Sequence, residues 1–171
     1  MAAQITAGGT VHQINVKAQT KGEHGLPKKP VDSVHVSKAG LTGDYNLYRQ
    51  ETLHGDPDSA VLIIPLETIL KLNAEGWPVK IGDLGENFTT TGIPYGRFAP
   101  GKAFRIGGTV IEVSRACDPC KNLHLLPYVG SSKGPTFVKT MLGRRGWYAR
   151  VRKEGLVRKG DTIEELSSAE R

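Results

Sequence analysis

Turn-forming residues interrupt this chain from end to end. Its 21 glycines and 10 prolines are spread along all 171 residues rather than gathered into linkers. Proline removes a backbone donor and fixes φ, and glycine loosens the backbone, so neither suits the interior of a long helix. A chain punctuated this often is left with short extended segments joined by turns, and we expect a mainly β fold. Hydrophobic residues make up 38% and charged residues 23%, which is compatible with a folded core in one domain over 1–171.

The segments between the turns bear this out in their periodicity. Val11, Gln13 and Asn15 alternate with His12, Ile14 and Val16, and Val34 and Val36 alternate with Ser33, His35 and Ser37. Alternation of this kind marks strands with one buried face. Residues 61–64 are an unbroken apolar run suited to a buried strand. Pro65 follows, then Leu66, Ile69, Leu70 and Asn73 at helical spacing up to Gly76, so the pattern predicts a helix of about three turns. Residues 102–106 and 109–113 flank Gly107-Gly108 and predict a hairpin on a two-residue turn. A short helix is expected over 136–142, a strand over 147–151 and a last strand over 156–166. Residues 98–106 and 157–165 both enter a turn at a glycine and then alternate. Turns repeated at a rim suit a closed sheet, so a β-barrel is expected rather than a solenoid.

Two loops carry polar groups of interest. Residues 40–57 are aperiodic and hold Arg49 and His54; loops this long in a compact domain are often functional. Residues 82–92 place Glu86 and Asn87 in a turn where close approach is expected. A solvated histidine and ordinary turn chemistry are the plain readings of these residues. Arg145 and Arg150 flank Gly146, Trp147 and Tyr148, as an anion-binding wall or as a strand with snorkelling arginines.

Net charge is +6, with Lys and Arg dense between Lys133 and Lys159. Such a face attracts nucleic acid, an acidic partner or a phosphate-bearing small molecule, or simply keeps the chain soluble. No RNA-binding aromatic signature, helix-turn-helix or zinc-finger spacing is present, so nucleic acid is the less favoured partner. No apolar run approaches the roughly 18 residues of a membrane span, and residues 1–10 lack the layout of a signal peptide. We therefore expect a cytoplasmic protein without membrane contact, whose cysteines are reduced.

Both cysteines of the chain lie in Cys117-Asp118-Pro119-Cys120, between Arg115 and Lys121. A structural zinc site would need two further ligands, and no second pair exists. A thioredoxin-like pair should open a long helix inside a βαβ pattern, which is absent. One functional thiolate in electropositive surroundings is a third reading. Two small buried hydrophobes are a fourth.

Several short motifs occur in a fixed order. They are Gly43-Asp44, His54-Gly55, Ala60-Val61, Gly85-Glu86-Asn87, Gly92-Ile93, Phe104 to Gly107, Pro119-Cys120, Arg145-Gly146-Trp147 and Gly160-Asp161. Together they resemble the MOSC domain family, the molybdenum cofactor sulfurase C-terminal-like domains, over a core of about 10–166 with frayed ends outside it. The resemblance implies a pyruvate-kinase-like β-barrel with a few short helices. It implies that the cysteine after the hairpin, Cys120 by position, ligates molybdenum or carries sulfur, with Cys117 an extra. On this resemblance the cofactor is molybdenum-molybdopterin, an anion with a thiolate-preferring metal. Arg49, Lys121, Arg145 and Arg150 are then candidates for its phosphate, and His54, Glu86 and Asn87 for its pterin. The expected reaction is reduction of N-hydroxylated bases or amidoximes. No iron-sulfur domain of the kind seen in some relatives is evident, so electrons are expected from a partner protein. The alternative is a sulfur-carrier or cofactor-delivery module holding a persulfide on Cys120.

Overall fold

The computed structural model describes residues 8–171. Its strands are β1 (Gly9–Val16), β2 (Lys29–Val31), β3 (Ser33–Ser37), β4 (Gly40–Leu41), β5 (Val61–Pro65), β6 (Phe88–Thr91), β7 (Ala103–Ile106), β8 (Thr109–Ala116), β9 (Trp147–Lys153), β10 (Gly155–Arg158) and β11 (Thr162–Glu165). Two α-helices, α1 (Leu66–Ala74) and α2 (Gly130–Thr140), accompany them, with a few short 3₁₀ turns and one π turn. The barrel runs β11-β7-β8-β9-β5-β6-β1 and closes where β1 pairs back to β11. Closure removes the open edges a flat sheet would leave. Neighbours are antiparallel except β5 and β6, a parallel pair that needs a crossover, and α1 lies in it.

Inside the barrel, Val11, Ile14, Ile63, Phe88, Phe104, Ile111 and Ile163 form one apolar cluster. Along β8, Thr109, Ile111 and Val113 are buried while Val110, Glu112 and Ser114 are only half-buried, the two-residue period of a strand with one face inward. A second cluster packs both helices onto the outside of the barrel through Ile64, Ile69, Leu72, Leu123, Phe137 and Met141. Leu123 belongs to the 3₁₀ turn Lys121–Leu125 that follows Cys120, so this cluster anchors the thiol-bearing segment. A small sheet, β10-β3-β4, stands beside the barrel.

The mainly β barrel, the hairpin, the β5 run and α1 agree with the sequence expectations. Three boundaries differ. Helix α2 begins at Gly130 rather than 136; its first turns are rich in poor helix formers, and the burial of Phe137 and Met141 holds them in place. A Cβ on Gly134 of this helix would lie 2.3 Å from the His124 ring, so glycine lets the 3₁₀ segment lie against it. The stretch 156–166 splits at Gly160, whose φ is +89°, sending β10 to β3 and β11 to β7. The loop 40–57 contains β4 and the π turn Tyr48–Thr52. Of the ends expected to fray, residues 1–7 lie outside the described residues. Residues 167–171 carry no helix or strand. No helix among the described residues is long and apolar enough to cross a membrane.

Candidate functional site

Strand β8 ends at Ala116 after a register shift against β9 between Val113 and Arg115. A bulge of this kind re-aims the side chains that follow it. Cys117, Asp118, Pro119 and Cys120 then line a cavity of about 440 Å³, together with Arg115, Lys121, Arg145 and Tyr148. The two thiols differ sharply. Cys117 is buried at 7% exposure, and Cys120 is exposed.

Arg145 reaches the same cavity because of its neighbour. Gly146 has φ +99°, and a Cβ there would sit 2.6 Å from the Ile63 carbonyl oxygen. Only glycine fits such a backbone pressed against another strand. The Gly146 amide donates to Tyr95 Oη at 3.0 Å, and its carbonyl accepts from the Cys117 amide at 2.9 Å. One glycine therefore fixes Arg145 and Cys117 relative to each other. Arg145 is only 5% exposed, and neither its Nε nor its Nη1 has a hydrogen-bond partner among the described residues. Buried guanidinium donors are normally paired, and leaving them unmet is costly.

Near Arg145 lies Glu86, fully buried. Its Oε1 accepts from the Gly82 amide at 2.7 Å and from Thr89 Oγ1 at 3.2 Å, while Oε2 has no partner. Burial pushes the Glu86 carboxyl above its usual range; hydrogen bonds and the Arg145 charge oppose that without reversing it. In the same lining the Arg115 guanidinium sits 5.1 Å from the centre of the Tyr148 ring, a cation–π contact. Arg115 also donates to Asp56 Oδ2 at 3.3 Å and pairs with Ser59 Oγ. Burial, and then the neighbouring Cys117 thiol, hold the Tyr148 hydroxyl well above the usual phenol range.

Of the residues singled out in the sequence, Cys120, Lys121 and Arg145 meet in this cavity. The others stand elsewhere. Arg150 is outside it, held by Asp58 Oδ1 at 2.7 Å and Glu112 Oε1 at 2.8 Å, so its charge is already matched. His54 is exposed on the turn before Gly55, with φ +51°, and lines neither this cavity nor its neighbour. Arg49 donates Nε, Nη1 and Nη2 to the carbonyls of Asp56, Ala39 and Gly55; it pins the loop and lines the small neighbouring cavity rather than this one. Asn87 accepts from the Leu62 amide at 3.0 Å and donates to the Asn15 carbonyl and Asp44 Oδ2, which commits it to the scaffold. Glu86 likewise does not line the cavity. Arg115, read only as a flank of the cysteines, and Tyr148, read only within the stretch between Arg145 and Arg150, were not among the residues expected to bind cofactor. They are cross-strand partners in the β8–β9 register, and only that pairing brings them together.

A model of the MOSC domain matches residues 50–164. The uncharacterized protein YflK of Bacillus subtilis is 31% identical over 160 residues, which are 88% of this chain and 67% of that protein. A Gibberella moniliformis protein named a reductase is 31% identical over 137 residues. That match covers 76% of this chain, which spans only 23% of the fungal protein. The YuaD protein of Bacillus subtilis superposes with a TM-score of 0.76 at 21% identity, covering 92% of this chain and 95% of that one. YiiM of Geobacillus stearothermophilus gives 0.70 at 25% identity, covering 93% and 75%. The first of these structural likenesses shows the fold.

Proposed function

The chain belongs to the MOSC domain family, and from that premise we propose that its cavity binds a molybdenum-molybdopterin cofactor, with Cys120 as the thiolate ligand of the metal. The observation that carries this reading is Arg145, a residue of the cavity wall at 5% exposure whose Nε and Nη1 have no hydrogen-bond partner among the described residues. Such a group calls for an anion, and a guanidinium grips phosphate through two parallel hydrogen bonds. A cavity of about 440 Å³ lies within the size range of small-molecule sites.

The donor set fits the same group. Among the described residues, no cluster of three or more His, Cys, Asp or Glu could hold a metal ion. A metal would thus enter with ligands of its own and take one more from the protein. Cys120 is an exposed soft donor suited to that part. When bound, the cofactor would supply redox chemistry, and the protein would supply position and electrostatics. Arg145 would hold the anionic group, with Lys121 and Arg115 adding positive potential around it. Tyr148, under Arg115, would form an apolar wall with its hydroxyl protonated. Arg49 and Asn87 would keep the loop and strand ends in shape.

The reaction we propose is reduction of N-hydroxylated bases or amidoximes with electrons from a partner protein. The name of the fungal relative, a reductase, supports a reductive role. Protein made in a host that synthesises the cofactor should carry molybdenum and pterin; Cys120→Ser should lose the metal and Cys117→Ser keep it. Wild-type protein with neither component would overturn the reading. The exposure of Cys120 favours one other reading, a sulfur carrier. It predicts one added sulfur in the intact mass of the wild type, absent from Cys120→Ser.

A further inference from the structure

Cys117 has no part in the function proposed above, yet it shares the cavity wall with Cys120. We propose that the two cysteines form a dithiol–disulfide pair that exchanges with small anionic disulfides whenever Cys120 carries no metal. The proposal stands on the cavity itself and does not depend on cofactor binding.

Three observations carry it. The first is the split in exposure. Cys120 is open to solvent and Cys117 is 7% exposed on the same cavity wall. An incoming disulfide can be attacked only by the accessible thiol, which leaves the buried one to resolve the product.

The second observation concerns the link between them. The Cys117 amide is tied to the Gly146 carbonyl, and the Cys120 carbonyl accepts from the Leu123 amide at 3.1 Å. Between these two anchors, the amides of Asp118 and Cys120 donate to no backbone carbonyl among the described residues. The link can therefore adjust without breaking strand or helix bonds, as the narrow geometry of a disulfide requires.

The third observation sets the substrate class. Arg145 offers unpartnered guanidinium nitrogens from a site 95% removed from solvent, and Arg115 and Lys121 line the same space. Asp118 is the one carboxylate in that lining. A disulfide bearing carboxylates is drawn to such a site, and one bearing ammonium groups is repelled.

The step balances without any further reagent. The Cys120 thiolate attacks one sulfur of the small disulfide, forming a mixed disulfide and expelling one thiolate. The Cys117 sulfur then attacks the Cys120 sulfur, passing its proton to solvent. A Cys117–Cys120 bond forms and the second small thiolate leaves. The protein dithiol is oxidised by two electrons, and the small disulfide is reduced to two thiols.

The test uses the full chain, purified from a host unable to make the cofactor and fully reduced beforehand. It is mixed with glutathione disulfide or with cystamine, and intact masses are followed in time. Wild type should lose two free thiols and end without an adduct. Cys117→Ser should stop with one glutathionyl group attached, and Cys120→Ser should stay unmodified over the same interval. Glutathione disulfide should react about tenfold faster than cystamine at low salt, and Arg145→Met should reduce that preference. A wild type that keeps its adduct as Cys117→Ser does would overturn the pairing. Equal rates for the two disulfides would overturn the substrate class. Neither result bears on molybdenum content, which is measured on protein from the cofactor-competent host.

Discussion

Arg145→Met should make the ligand-free protein more stable, not less. Arg145 is 5% exposed with Nε and Nη1 unpartnered. Protein mutational data put the cost of burying an unmet polar group at about 1–3 kcal/mol. Two such donors would cost roughly 2–6 kcal/mol, before the attraction to buried Glu86 is set against them. Methionine keeps most of the length and apolar contact of the stem. Allowing for the lost attraction, the net gain should be about 1–2 kcal/mol. For a chain of this size that is a rise in Tm of roughly 2–8 °C. The assay is a thermal melt of cofactor-free protein in low-salt buffer without phosphate or sulfate. Inorganic phosphate added to about a hundred times its Kd should then stabilise wild type by about 2.7 kcal/mol and leave Arg145→Met nearly unmoved. A melting point lowered by the substitution, or equal stabilisation of both proteins by phosphate, would refute an anion site at Arg145.

Three further outcomes follow from the same geometry. Gly146→Ala combines φ +99° with a Cβ placed 2.6 Å from the Ile63 carbonyl; strain of this kind costs about 1–3 kcal/mol, so calorimetry should show a clear loss, and an unchanged Tm would mean the turn is looser than described. Burial raises the Glu86 carboxyl above 4.5, so its contribution to stability is fully present below its unfolded pKa and lost as pH rises through the folded value. Melts at a series of pH values should therefore show Glu86→Gln gaining on wild type as pH increases, and a constant difference would contradict it. Lys28, at 4% exposure, pairs with Asp44, and burial lowers its pKa despite the Asp44 charge. Removing one partner of a buried pair costs about 3–5 kcal/mol; urea titration should find Lys28→Met destabilised by that order and Lys28→Met/Asp44→Asn partly restored.

How much could be read beforehand depended on whether the signal was local. Gly107-Gly108 between alternating runs needs only its own residues to form β7 and β8, and the apolar run before Pro65 likewise places β5 and α1. Helix α2 shows the opposite case. Gly130, Ser131, Ser132, Gly134 and Pro135 argue against a helix locally, and the packing of Phe137 and Met141 overrides them. The site divides in the same way. Cys120 follows the hairpin in the chain, a local signal, and it lines the cavity. The arginines could not be told apart, since Arg145 and Arg150 flank the same short stretch. What separates them is tertiary: Asp58 and Glu112 meet Arg150, and no carboxylate among the described residues bonds Arg145. Asn87 and Arg49 have the chemistry of ligand binders, and only the tertiary structure shows that their polar groups are hydrogen-bonded within the fold. Arg115 and Tyr148 became a pair through strand register, which no single segment carries.

The central claim is that one thiol, Cys120, binds the metal while its neighbour at 117 does not. X-ray absorption at the molybdenum edge tests it most directly, on wild type, Cys117→Ser and Cys120→Ser loaded in the same cofactor-competent host. The account predicts matching sulfur shells for wild type and Cys117→Ser. Any metal retained by Cys120→Ser should show one sulfur neighbour fewer. An unchanged shell in Cys120→Ser, or the loss appearing in Cys117→Ser instead, would contradict it.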